Sequence, residues 1–404
     1  MRICKIWDAD YPWDIRVEKV ATSLSMAGHS VHLVCRNLER RPRVEHNGTF
    51  TVHRLPAVPR ALGPLHGIAN FPYPMNPVWF RAMARVVRDT GANLILVRDI
   101  PLVVPAIVLG RRHRLPVVLD LAENYPAMLR DRMLYTPTGP LGRVVRHPAL
   151  AQVIERVGFR FVDHIIVVVE ESRDRLIRAG VSPDRLSVVC NTPRLEQWTR
   201  GAAPDDGGPR SEETKVIYLG NLDGSRGVDV AIRAVHHLKG AGHRVALDVI
   251  GGGPSLDNLR SMVSELNVAD RVTITGRLPF REVEQRFARA DVGLIPHYST
   301  EAWNTTIPNK LFDYMLLGLP VIVSDARPTT RIVEETGCGE VFRDRDVADL
   351  ARCMAVLADT NRRKLKGDSG RAAVHGRYNW AHDSRIFVDV VERVGTQVAP
   401  GGRR

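Results

Sequence analysis

The feature that most constrains this chain is its alternation of short, mostly apolar runs with amphipathic stretches. Residues 3–7, 31–35, 94–97, 117–121, 165–169 and 186–189 each read as a strand buried on both faces. Helical patterns lie between them. The first runs through Val17, Val20, Ala21 and Leu24 and stops where Gly28 supplies a left-handed residue. Strands apolar on both faces, with helices between, argue for a parallel sheet covered on both sides. The rhythm breaks at RGAAPDDGGPRSEE, rich in Gly, Pro and charge and without apolar periodicity, which reads as a linker over 199–213. It resumes with strands near 216–219, 246–250, 272–275, 292–295 and 320–323 and helices near 228–238, 256–266 and 310–317. The predicted class is α/β: two Rossmann-like, doubly wound parallel-sheet domains, 1–198 and 214–376, with ligands expected in a cleft at the carboxyl ends of the strands.

Composition narrows the class further. Across 404 residues, 44% hydrophobic and 25% charged content exclude wholesale disorder. The longest apolar stretch, 100–110, contains Pro101 and Pro105 and is about half the ~20 residues that a membrane-spanning helix needs. MRICKIWDAD has no signal-peptide apolar segment, so a cytoplasmic protein is expected. The five cysteines (Cys4, Cys35, Cys190, Cys338, Cys353) are scattered and fit neither a disulfide framework nor a zinc site, so buried thiols are expected. Net charge is +12, and residues 1–200 hold 29 Lys and Arg against 18 Asp and Glu. That asymmetry points to an anionic partner of the first half, a membrane surface or a phosphorylated acceptor, unless it reflects only an Arg-rich composition with seven lysines. Nucleic acid is not expected, because no helix-turn-helix, zinc-finger or RNP-type signature accompanies the charge.

Three stretches carry chemistry. Tyr218 to Gly227 is a strand, a glycine turn and a helix start, in which Gly220, Gly224 and Gly227 let backbone approach a ligand and Arg226 brings positive charge. Ile250-Gly251-Gly252-Gly253-Pro254 is a second abrupt strand-to-helix turn; it lacks the GxGxxG spacing, which disfavours NAD. In Thr306-Ile307-Pro308-Asn309-Lys310-Leu311-Phe312-Asp313, Pro308 fits a helix opening and puts Asn309 and Lys310 in the first turn. Lys310 and Asp313 are three apart on one face, an arrangement that suits an anion beside the lysine, or else a surface ion pair. Two Asp-x-Asp pairs, Asp8-Ala9-Asp10 and Asp344-Arg345-Asp346, read as solvated or structural turns, and no required metal is expected. The Pro- and aromatic-rich stretch 56–77 reads as either a packed surface loop or a contact for acceptor or membrane.

The order of these segments across 214–325 resembles a family 4 retaining glycosyltransferase of the GT-B fold, in the subgroup with a Pro-x-Lys-Leu-x-Glu/Asp-Tyr motif. The first half resembles the same superfamily more loosely, through Asp14-Ile15-Arg16-Val17-Glu18 and Leu115-Pro116-Val117-Val118-Leu119-Asp120. Arg377-Tyr378-Asn379-Trp380 would open a C-terminal helix, 377–396, that crosses back onto the first domain, ahead of a frayed tail at 397–404. The resemblance implies a UDP- or GDP-sugar donor. It would be held by Gly220, Asn221, Arg226, Gly252, Arg277, Leu278, Thr305, Thr306, Ile307, Asn309, Lys310 and Asp313, with Arg277 and Leu278 beside the base and Asp313 on the ribose. Arg226 and Lys310 would stabilise charge on the leaving diphosphate, which itself takes the acceptor proton. Pro12, Trp13, Asp14, Arg16, Asn124 and Arg173 fall on the acceptor side, and Asp120 or Glu123 would orient acceptor or hexose.

There are departures from the pattern. The family's Gly-Arg is Gly220-Asn221, and the first carboxylate of Glu-x7-Glu falls on Thr305, with Glu301 nearby. The implied acceptor is a sugar, a lipid-linked saccharide or a small metabolite, reached from the cytoplasm with peripheral contact to an anionic membrane. Two rivals share the fold: a nucleotide-sugar 2-epimerase, and a non-catalytic sugar-nucleotide-binding protein made thinkable by Thr305.

Overall fold

The computed structural model describes residues 1–12, 14–57, 71, 76–135, 146–198 and 213–397. The chain divides into two compact units. The first holds an eight-stranded sheet in the order β3-β4-β2-β1-β5-β6-β7-β8, built from β1 (Arg2–Asp10), β2 (Ser30–Arg36), β3 (Val44–His46), β4 (Thr51–Arg54), β5 (Leu94–Arg98), β6 (Val117–Leu121), β7 (His164–Val167) and β8 (Leu186–Val188). All neighbours are parallel except β3 against β4. β5 and β6 are buried along their whole length, as both-face apolar runs require.

The second unit holds six parallel strands in the order β11-β10-β9-β12-β13-β14: β9 (Thr214–Leu219), β10 (Val245–Ile250), β11 (Val272–Gly276), β12 (Val292–Ile295), β13 (Val321–Ser324) and β14 (Gly339–Phe342). Its core packs Val216, Tyr218, Val235, Leu247 and Leu294 against Leu350 and Met354 of the helix Val347–Val356. The β9-β12 contact places the strand order's reversal at β9, so the turn after β9 sits where an open α/β sheet binds ligands. The α/β class with two parallel sheets holds as expected.

Among the described residues, 127–135 and 192–198 group with the second unit, while the first takes the described residues of 1–126, 146–191 and 383–397. The helix Trp380–Gln397 is tied into the first unit by the Asp383 carboxylate, which accepts from the Cys190 amide (3.2 Å), and by Glu392 on His29 Nε2 (2.9 Å). Cys4, Cys35, Cys338 and Cys353 are free and buried, as expected of small hydrophobes, and Cys190 is free and half-buried.

Candidate functional site

In the second unit the glycine turns form one platform. A Cβ on Gly251 would lie 1.7 Å from the Gly220 carbonyl oxygen, and one on Gly253 would lie 2.3 Å from that of Leu222. Backbone thus rests on backbone. The Gly220 amide donates to Ile250 O (2.9 Å), Leu222 to Gly252 O (3.1 Å) and Ser255 to Leu222 O (3.0 Å). Gly227, at φ +65° before the helix Val228–Gly240, is pressed to the Pro296 carbonyl, where a Cβ would come within 1.7 Å. Only glycine fits that combination of angle and distance.

Lys310 lies under this platform. A Cβ on Gly220 would stand 2.7 Å from Lys310 Nζ and 3.2 Å from the Tyr218 hydroxyl. The ammonium sits 4.0 Å from the Tyr218 ring centroid and 3.3 Å from His297 Nε2. Among the described residues no carboxylate pairs with it. Burial, reinforced by the charge of Arg226, holds its pKa well below the ordinary 10.5. Arg226 donates through Nε to Asp223 (2.9 Å) and covers the Trp303 ring at 4.7 Å. Burial would raise the Asp223 carboxyl, but Arg226 and the Ser225 hydroxyl (2.6 Å) outweigh it and hold it low. The result is a cationic recess with one lysine unpaired and one arginine fixed by its own turn, which is the electrostatics a diphosphate needs.

Other predicted donor residues are distributed around this recess. Arg277 lies across Gly252, where a Cβ would be 3.2 Å from its Cγ, and Leu278 follows half-buried. Asn221 is exposed and donates to Asp223 (3.0 Å). Asn309 is exposed at the head of the helix Lys310–Leu316, behind buried Thr306 and Ile307. Thr305 donates its hydroxyl to the carbonyls of Glu301 (3.0 Å) and Ala302 (3.2 Å), closing the turn Trp303–Thr305, so that proton is spent locally. Asp313 accepts from Trp198 Nε1 (2.8 Å), while Lys310 contacts Tyr218 and His297. Sequence reading missed Trp198 and His297. The signal for His297 is a polar side chain directly after the apolar run 292–295 and Pro296.

The first unit corrects part of the acceptor-side expectation. Asp120 is fully buried, and its oxygens take Arg16 Nη2 (2.7 Å), Arg16 Nε (3.1 Å) and Arg98 Nη1 (3.3 Å). Burial alone would raise that carboxyl; the two guanidiniums outweigh it and hold it well below the usual range. Arg16, 1% exposed, spends its remaining donors on the carbonyls of Val189 (3.1 Å) and Cys190 (3.3 Å). Neither side chain has surface left for an acceptor, so both are structural. Asn124, also buried, accepts from Arg175 (3.3 Å) and is structural for the same reason. Asp14 caps the helix Ile15–Met26 through the Val17 amide (3.0 Å) and faces Arg98 (3.4 Å). Glu123 is half-buried, whereas Pro12 and Arg173 are exposed. Trp13 and most of 56–77 lie outside the described residues. Of the Asp-x-Asp pairs, Asp10 holds Arg36 (2.9 Å) and the Leu38 amide (2.6 Å), and Asp346 caps Val347–Val356.

Comparison with known proteins agrees with this architecture. A model described as "Glycosyl transferase 4-like domain" matches residues 14–192, and one described as "Glycosyl transferases group 1" matches 213–360. D-inositol 3-phosphate glycosyltransferase of Nocardia farcinica is 28% identical over 232 residues, which is 54% of this chain and 50% of that protein. The GDP-mannose-dependent alpha-(1-6)-phosphatidylinositol monomannoside mannosyltransferase of Mycobacterium tuberculosis is 28% identical over 172 residues, 42% of this chain and 45% of its own. The chain thus spans about half the length of these curated relatives. Sucrose-phosphate synthase from Thermosynechococcus elongatus superimposes with a TM-score of 0.79 at 18% identity, over 98% of this chain and 99% of its own. HepE from Anabaena, solved with UDP and glucose, gives 0.70 at 15% identity over 97% and 100%. With both models in chain order over the two units, this chain belongs to the glycosyltransferases of group 1, the family 4 type, built on the GT-B fold.

Proposed function

We propose that this chain is a retaining glycosyltransferase that moves a hexosyl group from a UDP- or GDP-sugar to an acceptor hydroxyl. The observation that carries the reading is the Lys310 ammonium, half-buried beneath the Gly220 turn beside Arg226 without a carboxylate partner among the described residues. Burying an unpaired charge is costly unless a ligand supplies the counter-charge. In the reaction the bond from the anomeric carbon to the β-phosphate oxygen breaks, and the acceptor oxygen bonds to that carbon on the same face. The acceptor proton passes to the departing phosphate. Lys310 and Arg226 hold the charge that develops on that phosphate, so the proposal needs neither a resident metal nor a protein base.

The acceptor is proposed as a sugar, a lipid-linked saccharide or a small metabolite. The mannosyltransferase and inositol-phosphate relatives support an acceptor of the envelope type by their names. Peripheral attachment to an anionic membrane, from the cytoplasm, is supported by the basic excess in residues 1–200. Among the described residues no helix is long and apolar enough to cross a membrane. Because Thr305 does not replace the family's first carboxylate, a sugar-nucleotide binder without turnover is the second reading.

Thermal shift against UDP, GDP, dTDP and ADP, with and without EDTA, tests the donor site; ligand at 100 times its Kd adds about 2.7 kcal/mol. A selective, EDTA-insensitive shift followed by transfer, or by slow hydrolysis of the matching sugar nucleotide, is expected. Binding without either would favour the second reading, and no shift at all would refute both.

A further inference from the structure

His297 follows β12 and Pro296 and is 2% exposed. Its carbonyl accepts from the Ser324 hydroxyl, and its ring packs on Trp303 with centroids 4.1 Å apart. Nε2 is 3.3 Å from Lys310 Nζ, whereas Nδ1 is buried without a hydrogen-bond partner among the described residues. Once Lys310 carries its proton, as a bound diphosphate favours, it has no lone pair, so the contact is then made to an unprotonated Nε2 that accepts, which leaves the ring's proton on Nδ1. That proton then has no acceptor, a state folded proteins avoid. A leucine would fill the same space against Trp303 without the orphaned N–H. What the imidazole adds is an acceptor for Lys310, its one hydrogen-bond partner among the described residues.

We infer that His297 is a positioning residue for the donor diphosphate, its neutral ring accepting from the Lys310 ammonium through Nε2 and holding it under the Gly220 turn. A carboxylate would hold the lysine equally well but would cancel its charge. A neutral acceptor fixes the ammonium and leaves that charge whole for an anionic ligand. Burial and the nearby Lys310 and Arg226 charges keep the imidazole neutral, consistent with this role.

The inference rests on the donor-site reading, and the experiment separates the two. The Kd of the full chain for UDP, GDP, dTDP and ADP is measured by calorimetry, and the series continues with the nucleotide that wild type binds. His297→Gln puts an amide oxygen near the place of Nε2, His297→Asn reaches only the place of Nδ1, and His297→Leu has no acceptor. A hydrogen bond to a charged group predicts about 10- to 100-fold weaker binding for Asn and Leu, with Gln within about threefold of wild type. Equal binding by all variants overturns the inference, as does an equal loss in all three, which would assign the effect to packing on Trp303. If the leucine variant does not fold, the Gln–Asn comparison decides alone. Wild type that binds none of the four nucleotides refutes the donor-site reading and this inference with it.

Discussion

Replacing Lys310 by methionine isolates the charge, because the unbranched stem and its contact with Tyr218 remain while Nζ is lost. In the free protein Lys310 is half-buried beside Arg226, with its pKa held well below 10.5. A lysine lowered in the fold binds its proton more weakly there than in the unfolded chain. Wild-type stability therefore rises with pH from the lowered folded value up to the unfolded one, by up to about 1.4 kcal/mol per pH unit for one proton. The methionine variant lacks this slope, so the stability difference between the two proteins shifts in favour of wild type as pH goes from 7 to 9. Where Lys310 keeps its proton, the cation–π contact with Tyr218 that the variant loses is worth roughly 0.5–2 kcal/mol. In turnover the variant loses a preorganised positive group, a cost of about 2.7–4 kcal/mol, or 10²- to 10³-fold in kcat. Urea melts across pH 6–10 and initial rates with the matched sugar nucleotide read both quantities. Parallel pH profiles for the two proteins would refute the lowered Lys310 pKa, and an undiminished kcat would refute its service to the diphosphate.

Three further outcomes follow from the geometry. Gly220→Ala puts a methyl 2.7 Å from Lys310 Nζ at φ +156° and should cost about 1–3 kcal/mol together with nucleotide affinity, whereas Gly240→Ala, with nothing within 4 Å, should leave binding unchanged; calorimetry and melts compare them. Asp99, 8% exposed at φ +57°, has its carboxyl pushed up to about 6 by burial, so its contribution to stability falls as pH rises through that value; Asp99→Asn, which tolerates the angle and keeps the Ala122 amide bonded, should raise stability at pH 8 by about 1–3 kcal/mol and not at pH 4. Asp120→Asn strips the counter-charge from buried Arg16 and Arg98 and should cost about 3–5 kcal/mol at pH 7; because the wild-type carboxyl is held low, its stabilisation persists at neutral pH and fades only as pH falls below the ordinary carboxylate range, which chemical denaturation at pH 7 and pH 3 would show.

The strands that were legible in the sequence are those with one unambiguous environment. Residues 292–295 are apolar throughout, and 117–121 are apolar but for Asp120, because both faces are covered. β3 (Val44–His46) and β4 (Thr51–Arg54) are short, polar and at the sheet edge, and β14 (Gly339–Phe342) is buried only at its ends, so none announces itself by pattern. At the site, Lys310 was readable because Pro308 punctuates a helix start. Asp120 misled for the opposite reason. A carboxylate at a strand end looks available until Arg16, 104 residues away, closes on it, and such a pairing is visible only in three dimensions. His297 and Trp198 reach their partners through space as well, across 13 and 115 residues.

The arginine at position 16 carries a consequence for how the chain is made. Its guanidinium joins the first helix to β6 through Asp120 and to the Val189 and Cys190 carbonyls, and the Phe387 ring lies 5.9 Å away. A ribosome delivers these pieces in order, and Phe387 arrives 371 residues after Arg16 (387 − 16). The second unit's strands are all synthesised before Phe387 emerges, so on a vectorial schedule the unit that starts first finishes last. Until then the Arg16 guanidinium, bonded to Asp120 and to the Val189 and Cys190 carbonyls, lies without the Phe387 ring beside it.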